Sequence, residues 1–180
     1  DEGANTVLIS GPTALEPPLG VQMVRVETAR QMLDEALIRS VGADVFIGCA
    51  AVADYAPEQV ALQKIKKDVS DELNLRLVKN PDVVAAVADL PERPFMVGFA
   101  AETEDLLRHA RGKLQRKNLD LIIANDVADS AIGFNSDRNA VWLLDAADEV
   151  AYPEQNKQQL ARRLVQDIAT RLERHNSRKS

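Results

Sequence analysis

Three nearly continuous apolar runs constrain the fold of this chain more than any other feature. They occupy residues 44–49, 95–100 and 119–124, and segments with helical spacing of apolar residues lie between them. A strand that is apolar along its whole length is typical of a parallel sheet covered on both faces. Strands that alternate with helices build such sheets. The sequence therefore predicts an α/β fold with a doubly wound, mostly parallel, Rossmann-like sheet and helices on both faces.

The remaining elements follow from periodicity and from end signals. Thr28 is a suitable N-cap for a helix over residues 28–41, and Pro81 suits the first turn of another helix. Residues 73–77 alternate like a half-exposed strand. The other predicted elements are strands at residues 6–10 and 21–26, helices at residues 81–90, 103–117 and 154–174, and a C-terminal β-hairpin of residues 140–144 and 149–152.

Composition bounds the class of protein. The 180 residues are 46% hydrophobic, which is enough for one domain with its own core. Gly3-Ala4 directly before a strand resembles the end of a helix, so we expect a single domain over residues 1–180 that begins inside a βα unit.

The net charge of −6 argues against nonspecific nucleic-acid binding. Without a signal peptide or a membrane-spanning run, we expect a soluble, cytoplasmic protein that does not associate with membranes. Cys49 as the single cysteine excludes an intramolecular disulfide, and two histidines do not suggest a metal cluster.

Small and polar residues follow each of the three apolar strands. They are residues 48–51, 99–102 and 125–126, at the carboxyl ends where ligands bind in such sheets. We therefore expect these segments to converge on one crevice. Cys49 follows a buried strand among small residues, which favours a small core residue over a catalytic thiol.

Two groups of lysines are candidates for binding an anion. Lys113 and Lys117 are four residues apart and share one face of a predicted helix, so both can reach one polyphosphate. Lys64 belongs to the cluster Lys64-Ile65-Lys66-Lys67. Local sequence alone leaves the alternative open that both groups are ordinary solvated lysines.

Several motifs resemble one family in their order along the chain. The resemblance is to the phosphopantothenoylcysteine synthetase family, commonly the C-terminal half of a bifunctional coenzyme A biosynthesis protein in bacteria, and it runs from about Asn5 to the last helix. The motifs that carry it are Gly48-Cys49-Ala50-Ala51-Val52-Ala53-Asp54-Tyr55, Lys64-Ile65-Lys66-Lys67, Lys79-Asn80-Pro81-Asp82, Val97-Gly98-Phe99-Ala100-Ala101-Glu102-Thr103, Lys117-Asn118-Leu119-Asp120, Ala124-Asn125-Asp126 and Gly133-Phe134-Asn135-Ser136-Asp137.

The resemblance implies roles for twelve residues. Lys64 is implied to help form an activated acyl intermediate from a mobile loop over the nucleotide, because a positioned ammonium stabilises charge that develops on phosphate oxygens. Lys113 and Lys117 are implied to bind the triphosphate. Asp54 is either a turn cap or a contact to the nucleotide or its Mg²⁺. The remaining residues implied to line the nucleotide site are Gly48, Cys49, Ala50, Pro81, Asp82, Val83, Val84 and Phe99.

The implied reaction joins 4′-phosphopantothenate to L-cysteine through an acyl-cytidylate, with CTP cleaved to CMP and pyrophosphate and with Mg²⁺ as cofactor. The family also implies a homodimer and a flavin-dependent decarboxylase fused upstream. Its first βα unit, which contacts substrate, has no counterpart before Asp1, so we expect these residues to bind CTP with poor turnover.

Two alternatives stay open, a dinucleotide-binding oxidoreductase and a noncatalytic nucleotide-binding module. The first lacks a G-x-G-x-x-G motif among the eight glycines, and the second would need no Lys64 chemistry. The choice between CTP and ATP is also open, because backbone groups can select the base.

Overall fold

A computed structural model of the chain describes residues 3–61, 63–66, 72–102, 105–126 and 136–178. Its strands and helices alternate through most of the chain, as predicted. In chain order the elements are β1 (Val7–Ser10), β2 (Gln22–Arg25), α1 (Ala29–Ser40), β3 (Val45–Gly48), β4 (Tyr55–Pro57), β5 (Leu77–Lys79), α2 (Val83–Ala88), β6 (Phe95–Glu102), α3 (Leu106–Arg116), β7 (Leu121–Asp126), β8 (Arg138–Leu144), β9 (Glu149–Asn156) and α4 (Lys157–Ser177).

The central sheet has the strand order β3-β6-β7-β8-β9. β3, β6 and β7 pair in parallel, whereas β8 is antiparallel to both β7 and β9. Four of these five strands therefore run in one direction, and β8 and β9 form a hairpin. Both the mostly parallel sheet and the C-terminal hairpin are confirmed.

Side chains alternate between two cores on opposite faces of this sheet. Met96 and Ile122 belong to the core that packs against α1, α2 and α3. Val97 and Leu121 belong to the other core, which α4 covers through Leu160, Leu164 and Ile168. Because β6 and β7 are apolar on both faces, they carry no period-2 pattern in the sequence. The prediction of helices on both faces is confirmed.

Capping side chains set the beginnings of three helices. Thr28 caps α1, with its hydroxyl accepting from the Gln31 amide at 3.1 Å, and the Gln31 side chain accepts from the Thr28 amide at 3.1 Å. The prediction of Thr28 as an N-cap is confirmed. Asp82 caps α2 and Asn156 caps α4, so these helices begin later than the predicted residues 81 and 154.

A short antiparallel ribbon was not predicted. β4 pairs with β5 in the register Tyr55↔Lys79, and the predicted strand at residues 73–77 is wrong except at Leu77. Leu73 and Leu75 are exposed, so their alternation has no core to face. Three-residue strands are fixed by long-range pairing and leave little local signal. β1 and β2 form a separate parallel pair. Within the described ranges, no helix combines the length and apolar character that a membrane span requires.

Candidate functional site

A cavity of about 390 Å³ lies beyond the carboxyl ends of β3, β6 and β7. The predicted crevice is therefore present, and five separate parts of the chain form its walls. Its lining consists of residues 48–54, residues 79–84, residues 98–101, Lys113, Lys117, Leu119 and Asn125. A larger and more open depression, of about 500 Å³, lies around Arg93 and Asn118 at the other end of the strands. Arg93 is held there by Asp120, so we take the more enclosed cavity, where lysines converge, as the functional site.

The cavity brings together eleven of the twelve residues implied by the family resemblance. These are Gly48, Cys49, Ala50, Asp54, Pro81, Asp82, Val83, Val84, Phe99, Lys113 and Lys117. The twelfth, Lys64, is exposed and lies outside the lining that the described residues form. Its neighbour Lys67 falls outside the described residues, as do residues 133–135 of the Gly-Phe-Asn-Ser-Asp motif. The structure thus places the predicted binding residues together, and their roles in binding stay predictions.

Two paired glycines open the floor of the cavity. Gly48 of β3 lies opposite Gly98 of β6. A Cβ on Gly48 would come within 2.7 Å of Val84 Cγ2, and a Cβ on Gly98 within 2.5 Å of Leu119 Cδ1. A side chain at either position would displace Val84 or Leu119, so the glycines let α2 and the segment after α3 approach the sheet this closely.

The two cavity lysines are held by acceptors in the walls. Lys113 Nζ donates to the Phe99 carbonyl at 2.6 Å. Lys117 Nζ lies 2.9 Å from Asp82 Oδ2, and Asp82 Oδ1 accepts from the Ala85 amide at 3.1 Å. α3 thereby directs two positive charges at the segment before α2.

The Asp82 carboxylate is ionised because its surroundings favour the charged form. Burial raises its pKa, but the Ala85 amide, the Lys117 ammonium and the nearby Lys113 together hold the pKa below its usual value. The Asp82 carboxylate is therefore a negative charge of the protein itself at the place where the two lysines converge. A bound phosphate would compete with it for the same ammonium groups.

The expectation that Cys49 is a core residue is wrong. β3 ends at Gly48, so Cys49 is the first residue outside the sheet. It is exposed and lines the cavity. The neighbouring cavity walls still desolvate the sulfur, and this burial raises the pKa of the thiol despite a backbone hydrogen bond that lowers it. At neutral pH the side chain is therefore a thiol, not a reactive thiolate.

Phe99 contributes to the cavity and to the core at once. It is partly buried and packs against the core on the α4 face. Its backbone carbonyl accepts from Lys113, so the same residue fixes one of the cavity lysines. Phe99 is therefore both an aromatic residue of the core and part of the cavity wall.

Among the polar residues of the lining, sequence reasoning assigned no role to Lys79 and Asn80, and it expected Asn125 at the crevice without giving it a role. All three belong to motifs quoted for the resemblance, but none was selected as a site residue. The Asn80 amide donates to the Asp54 carbonyl at 2.8 Å, and its Nδ2 donates to the Ala53 carbonyl at 2.9 Å. Asn125 Oδ1 is buried and has no hydrogen-bond partner in the part of the chain that the structure describes. A polar residue at the end of a buried strand was the available signal for Asn125.

Fold and site together define a class: a Rossmann-like α/β domain with a lysine-bearing cavity at the carboxyl ends of parallel strands, where ligands bind in such sheets. Residues 1–172 match the family model described as the DNA/pantothenate metabolism flavoprotein C-terminal domain. The chain belongs to this family. The resemblance seen in the sequence motifs is thereby confirmed.

Individual relatives agree with this assignment. The chain is 48% identical over 180 residues to the coenzyme A biosynthesis bifunctional protein CoaBC of Escherichia coli (strain K12), covering 98% of this chain and 44% of that protein. The crystal structure of a CoaBC C-terminal domain superposes with a TM-score of 0.78 at 32% identity, covering 95% of this chain and 76% of that one. A Cab2 mutant in complex with phosphopantothenate-cysteine has a TM-score of 0.65 at 18% identity, covering 89% of this chain and 55% of that one, and shows the same fold. This chain spans about two-fifths of the length of the curated CoaBC relatives.

Proposed function

We propose that this domain is a phosphopantothenate–cysteine ligase that uses CTP in coenzyme A biosynthesis. The observation that carries the proposal is the cavity itself, in which Lys113 and Lys117 converge with the segment before α2 at the carboxyl ends of parallel strands. The bifunctional CoaBC relatives support the pathway, and the Cab2 complex shows that a protein of this fold holds phosphopantothenate-cysteine.

The proposed chemistry has two steps. The carboxylate of 4′-phosphopantothenate attacks the α-phosphorus of CTP, which forms an acyl-cytidylate and releases pyrophosphate. The amine of L-cysteine then attacks the acyl carbon and displaces CMP, which leaves the amide and one released proton. Activation as a mixed anhydride converts a poor acyl donor into a reactive one.

Lysines supply the electrostatic part of this chemistry. Lys113 and Lys117 bind the triphosphate, with Lys117 exchanging its partner Asp82 for phosphate oxygens. Lys64 lies outside the cavity lining in this structure, on the segment that follows β4. In the proposal, this segment moves over the nucleotide, and Lys64 stabilises the charge that develops at the α-phosphate.

The cavity also suits Mg²⁺ that is carried by a nucleotide. Within the described ranges, no three His, Cys, Asp or Glu side chains form a group that would hold a metal by themselves. Mg²⁺ on a triphosphate needs only one or two carboxylates and otherwise keeps its waters. Asp54 lines the cavity with an exposed carboxylate and fits this role. The bound ion would neutralise triphosphate charge and favour the departure of pyrophosphate.

The proposed assembly is a homodimer with a flavin-dependent decarboxylase fused upstream. The bifunctional character of the CoaBC relatives supports the fusion, and this chain covers less than half of their length. A twofold dimer is the commonest assembly among soluble homo-oligomers. Light scattering on the protein would test the dimer directly.

The first test is titration calorimetry with CTP and with ATP in the presence of Mg²⁺. The protein should bind CTP in preference to ATP, and the double variant Lys113→Ala/Lys117→Ala should bind CTP at least about tenfold more weakly, because two charge-assisted contacts are removed. The matched control is Arg108→Ala/Arg116→Ala. It removes two positive charges from exposed positions of the same helix.

The two double variants separate a contact from a general charge effect. A loss confined to the lysine variant places the triphosphate at these side chains. Equal losses in both variants would mean that net charge attracts CTP, and the cavity assignment would fail. Absence of CTP binding by the unmodified protein would contradict the proposed function as stated for this chain.

A further inference from the structure

Asn80 connects two walls of the cavity that are far apart in sequence. Its backbone amide donates to the Asp54 carbonyl at 2.8 Å, and its side-chain Nδ2 donates to the Ala53 carbonyl at 2.9 Å. One residue thus binds two consecutive carbonyls of the segment that follows β3. We call residues 48–54 the β3 loop, and this loop contributes seven residues to the cavity lining.

The neighbours of Asn80 make this connection specific. Pro81 follows directly, which confines Asn80 to an extended conformation, and Asp82 then caps α2. The ladder between β4 and β5 ends at the pair Tyr55↔Lys79. The backbone bond from Asn80 to Asp54 extends this ladder, and the side-chain bond to Ala53 lies one residue further along the β3 loop. The β3 loop is therefore tied at its far end to the same segment that supplies the opposite wall.

Other described contacts within the lining leave this role to Asn80. Lys117 ties α3 to Asp82, and Lys113 ties α3 to Phe99. Neither bond reaches the β3 loop. Among the described residues, the two Asn80 bonds join the end of the β3 loop to the segment before α2. At the other end of the loop, a Cβ on Gly48 would lie 2.7 Å from Val84 Cγ2, so the loop begins close against α2.

We propose that Asn80 is a positioning residue that holds the β3 loop in its ligand-ready conformation. It contacts two backbone carbonyls and acts on the ligand through them. This inference deepens the proposed function and rests on it for the identity of the ligand, a nucleoside triphosphate. Without the side-chain bond, the loop must be ordered when the nucleotide binds, which weakens affinity.

The single cysteine offers a readout that needs no ligand. Cys49 lies in the β3 loop, and its thiol has a raised pKa because the cavity walls bury it. A loosened loop moves the sulfur away from the walls that desolvate it, which lowers the pKa of the thiol towards its ordinary value and increases the thiolate fraction. The rate of alkylation by iodoacetamide at pH 8 therefore reports the conformation of the loop.

Asn80→Ala removes the side-chain bond and keeps the backbone bond. We expect Cys49 alkylation to accelerate by about threefold or more and CTP affinity to fall by about tenfold. Asn80→His places a ring N–H at the position of Nδ2 and should restore part of both properties. The matched control is Asn156→Ala, which removes a bond of the same length, from the Gln158 amide at 2.9 Å, outside the cavity lining.

The outcomes distinguish a positioning role from a merely structural one. The control should lower the thermal unfolding temperature like Asn80→Ala but change alkylation and CTP affinity by less than about twofold. Unchanged alkylation in Asn80→Ala, or equal changes in both variants, would overturn the inference. If the unmodified protein binds no CTP while alkylation still depends on Asn80, the proposed function fails and the positioning role stands.

Discussion

The two ends of the strands β6 and β7 carry charged groups that are used in opposite ways. At the amino-terminal end, Asp120 accepts two hydrogen bonds from the Arg93 guanidinium, at 2.5 and 3.0 Å, and one from the Met96 amide at 2.7 Å. At the carboxyl end, lysines and amides line the cavity of the candidate site. We name the two ends by the burial of their ion pairs: the amino-terminal end, where the pair is the more buried, is the sealed end, and the carboxyl end is the open end.

Burial shows how far the sealed end is closed. The Arg93 and Asp120 side chains are 22% and 13% exposed. Arg171 of α4 is 10% exposed and binds Asp145, which follows β8 at the same end of the sheet. Polar groups that satisfy each other in this way contribute to stability and leave nothing for a ligand. At the open end, the buried Asn125 Oδ1 has no partner within the described residues, so part of its hydrogen-bonding capacity is left over.

The largest expected effect is on catalysis, from Lys64 near the open end. Lys64→Gln should slow acyl-cytidylate formation by about 10²–10³-fold, the usual loss when one charge-stabilising donor is removed. CTP affinity should change little, since Lys64 lies outside the cavity lining of the described structure. Single-turnover release of pyrophosphate, with the protein in excess over CTP and 4′-phosphopantothenate, measures this step even if turnover is slow.

Lys66→Gln is the matched control for this prediction. It removes the same charge two residues further along the segment that the structure describes. We expect its effect on pyrophosphate release to stay below about tenfold, as for a charge that does not touch the reacting phosphate. Equal losses in the two variants would assign the effect to net charge. No loss in Lys64→Gln would exclude Lys64 from the chemistry, whereas absence of pyrophosphate release from the unmodified protein would favour the noncatalytic nucleotide-binding module.

The next largest effect is on stability, at the sealed end. Asp120→Ala should lower the free energy of unfolding by about 2–4 kcal/mol, because it leaves the largely buried Arg93 charge and the Met96 amide without their acceptor. Urea unfolding monitored by circular dichroism measures the loss. Asp120→Asn keeps an acceptor and should lose less.

CTP affinity provides the contrast at the other end of the strands. In the temperature range where Asp120→Ala is folded, its CTP affinity should equal that of the unmodified protein within about twofold, since the Asp120 carboxylate binds Arg93 and Met96 and lies outside the cavity lining. A large loss of affinity in the folded variant would show that the two ends are coupled, and the division into a sealed end and an open end would not hold.

The sequence predicted the regular part of the fold because that part depends on local signals. The apolar runs of β3, β6 and β7 and the capping box at Thr28 are readable within a few residues. The ribbon of β4 and β5 is different. Its three-residue strands are separated by about twenty residues, and the alternating residues beside β5 point at no core, so periodicity was misleading there.

The site was predicted through family motifs more than through physical signals. Gly48, Lys113 and Lys117 became site residues by resemblance, since a glycine after a strand and lysines on a helix are common. The cavity explains them by geometry, through the short approach to Val84 and the bond to Asp82. Asn80 was missed because its two partners lie about 27 residues away, and no local pattern encodes that distance.

A smaller effect is expected from the shape of the open end. Gly48→Ala adds a methyl carbon that would lie 2.7 Å from Val84 Cγ2, closer than two carbons can pack. We expect this overpacking to cost about 1–2 kcal/mol in stability or nucleotide affinity. Val84→Ala removes the obstructing methyl groups. The double variant should therefore recover part of the loss, and a double-mutant cycle measures this coupling by urea unfolding and calorimetry. Strict additivity of the two substitutions would contradict the close contact.

The smallest expected effect is a difference in acid sensitivity between the two ends. Burial raises the pKa of both Asp82 and Asp145, but amide hydrogen bonds and a cation, Lys117 or Arg171, outweigh it and lower each pKa on balance. A lowered folded-state pKa adds stability that is present above the ordinary value of about 3.9 and is lost as the pH falls through the folded-state pKa.

The Asp82 side chain is 43% exposed against 25% for Asp145, so solvent screening should hold the Asp82 contribution below about 1 kcal/mol. Urea unfolding at pH 5 and pH 3 should therefore show a larger loss of acid sensitivity in Asp145→Asn than in Asp82→Asn. The reverse order would mean that the open end contributes more ionic stabilisation than the sealed end, and its lysines would then serve the fold before they serve a ligand.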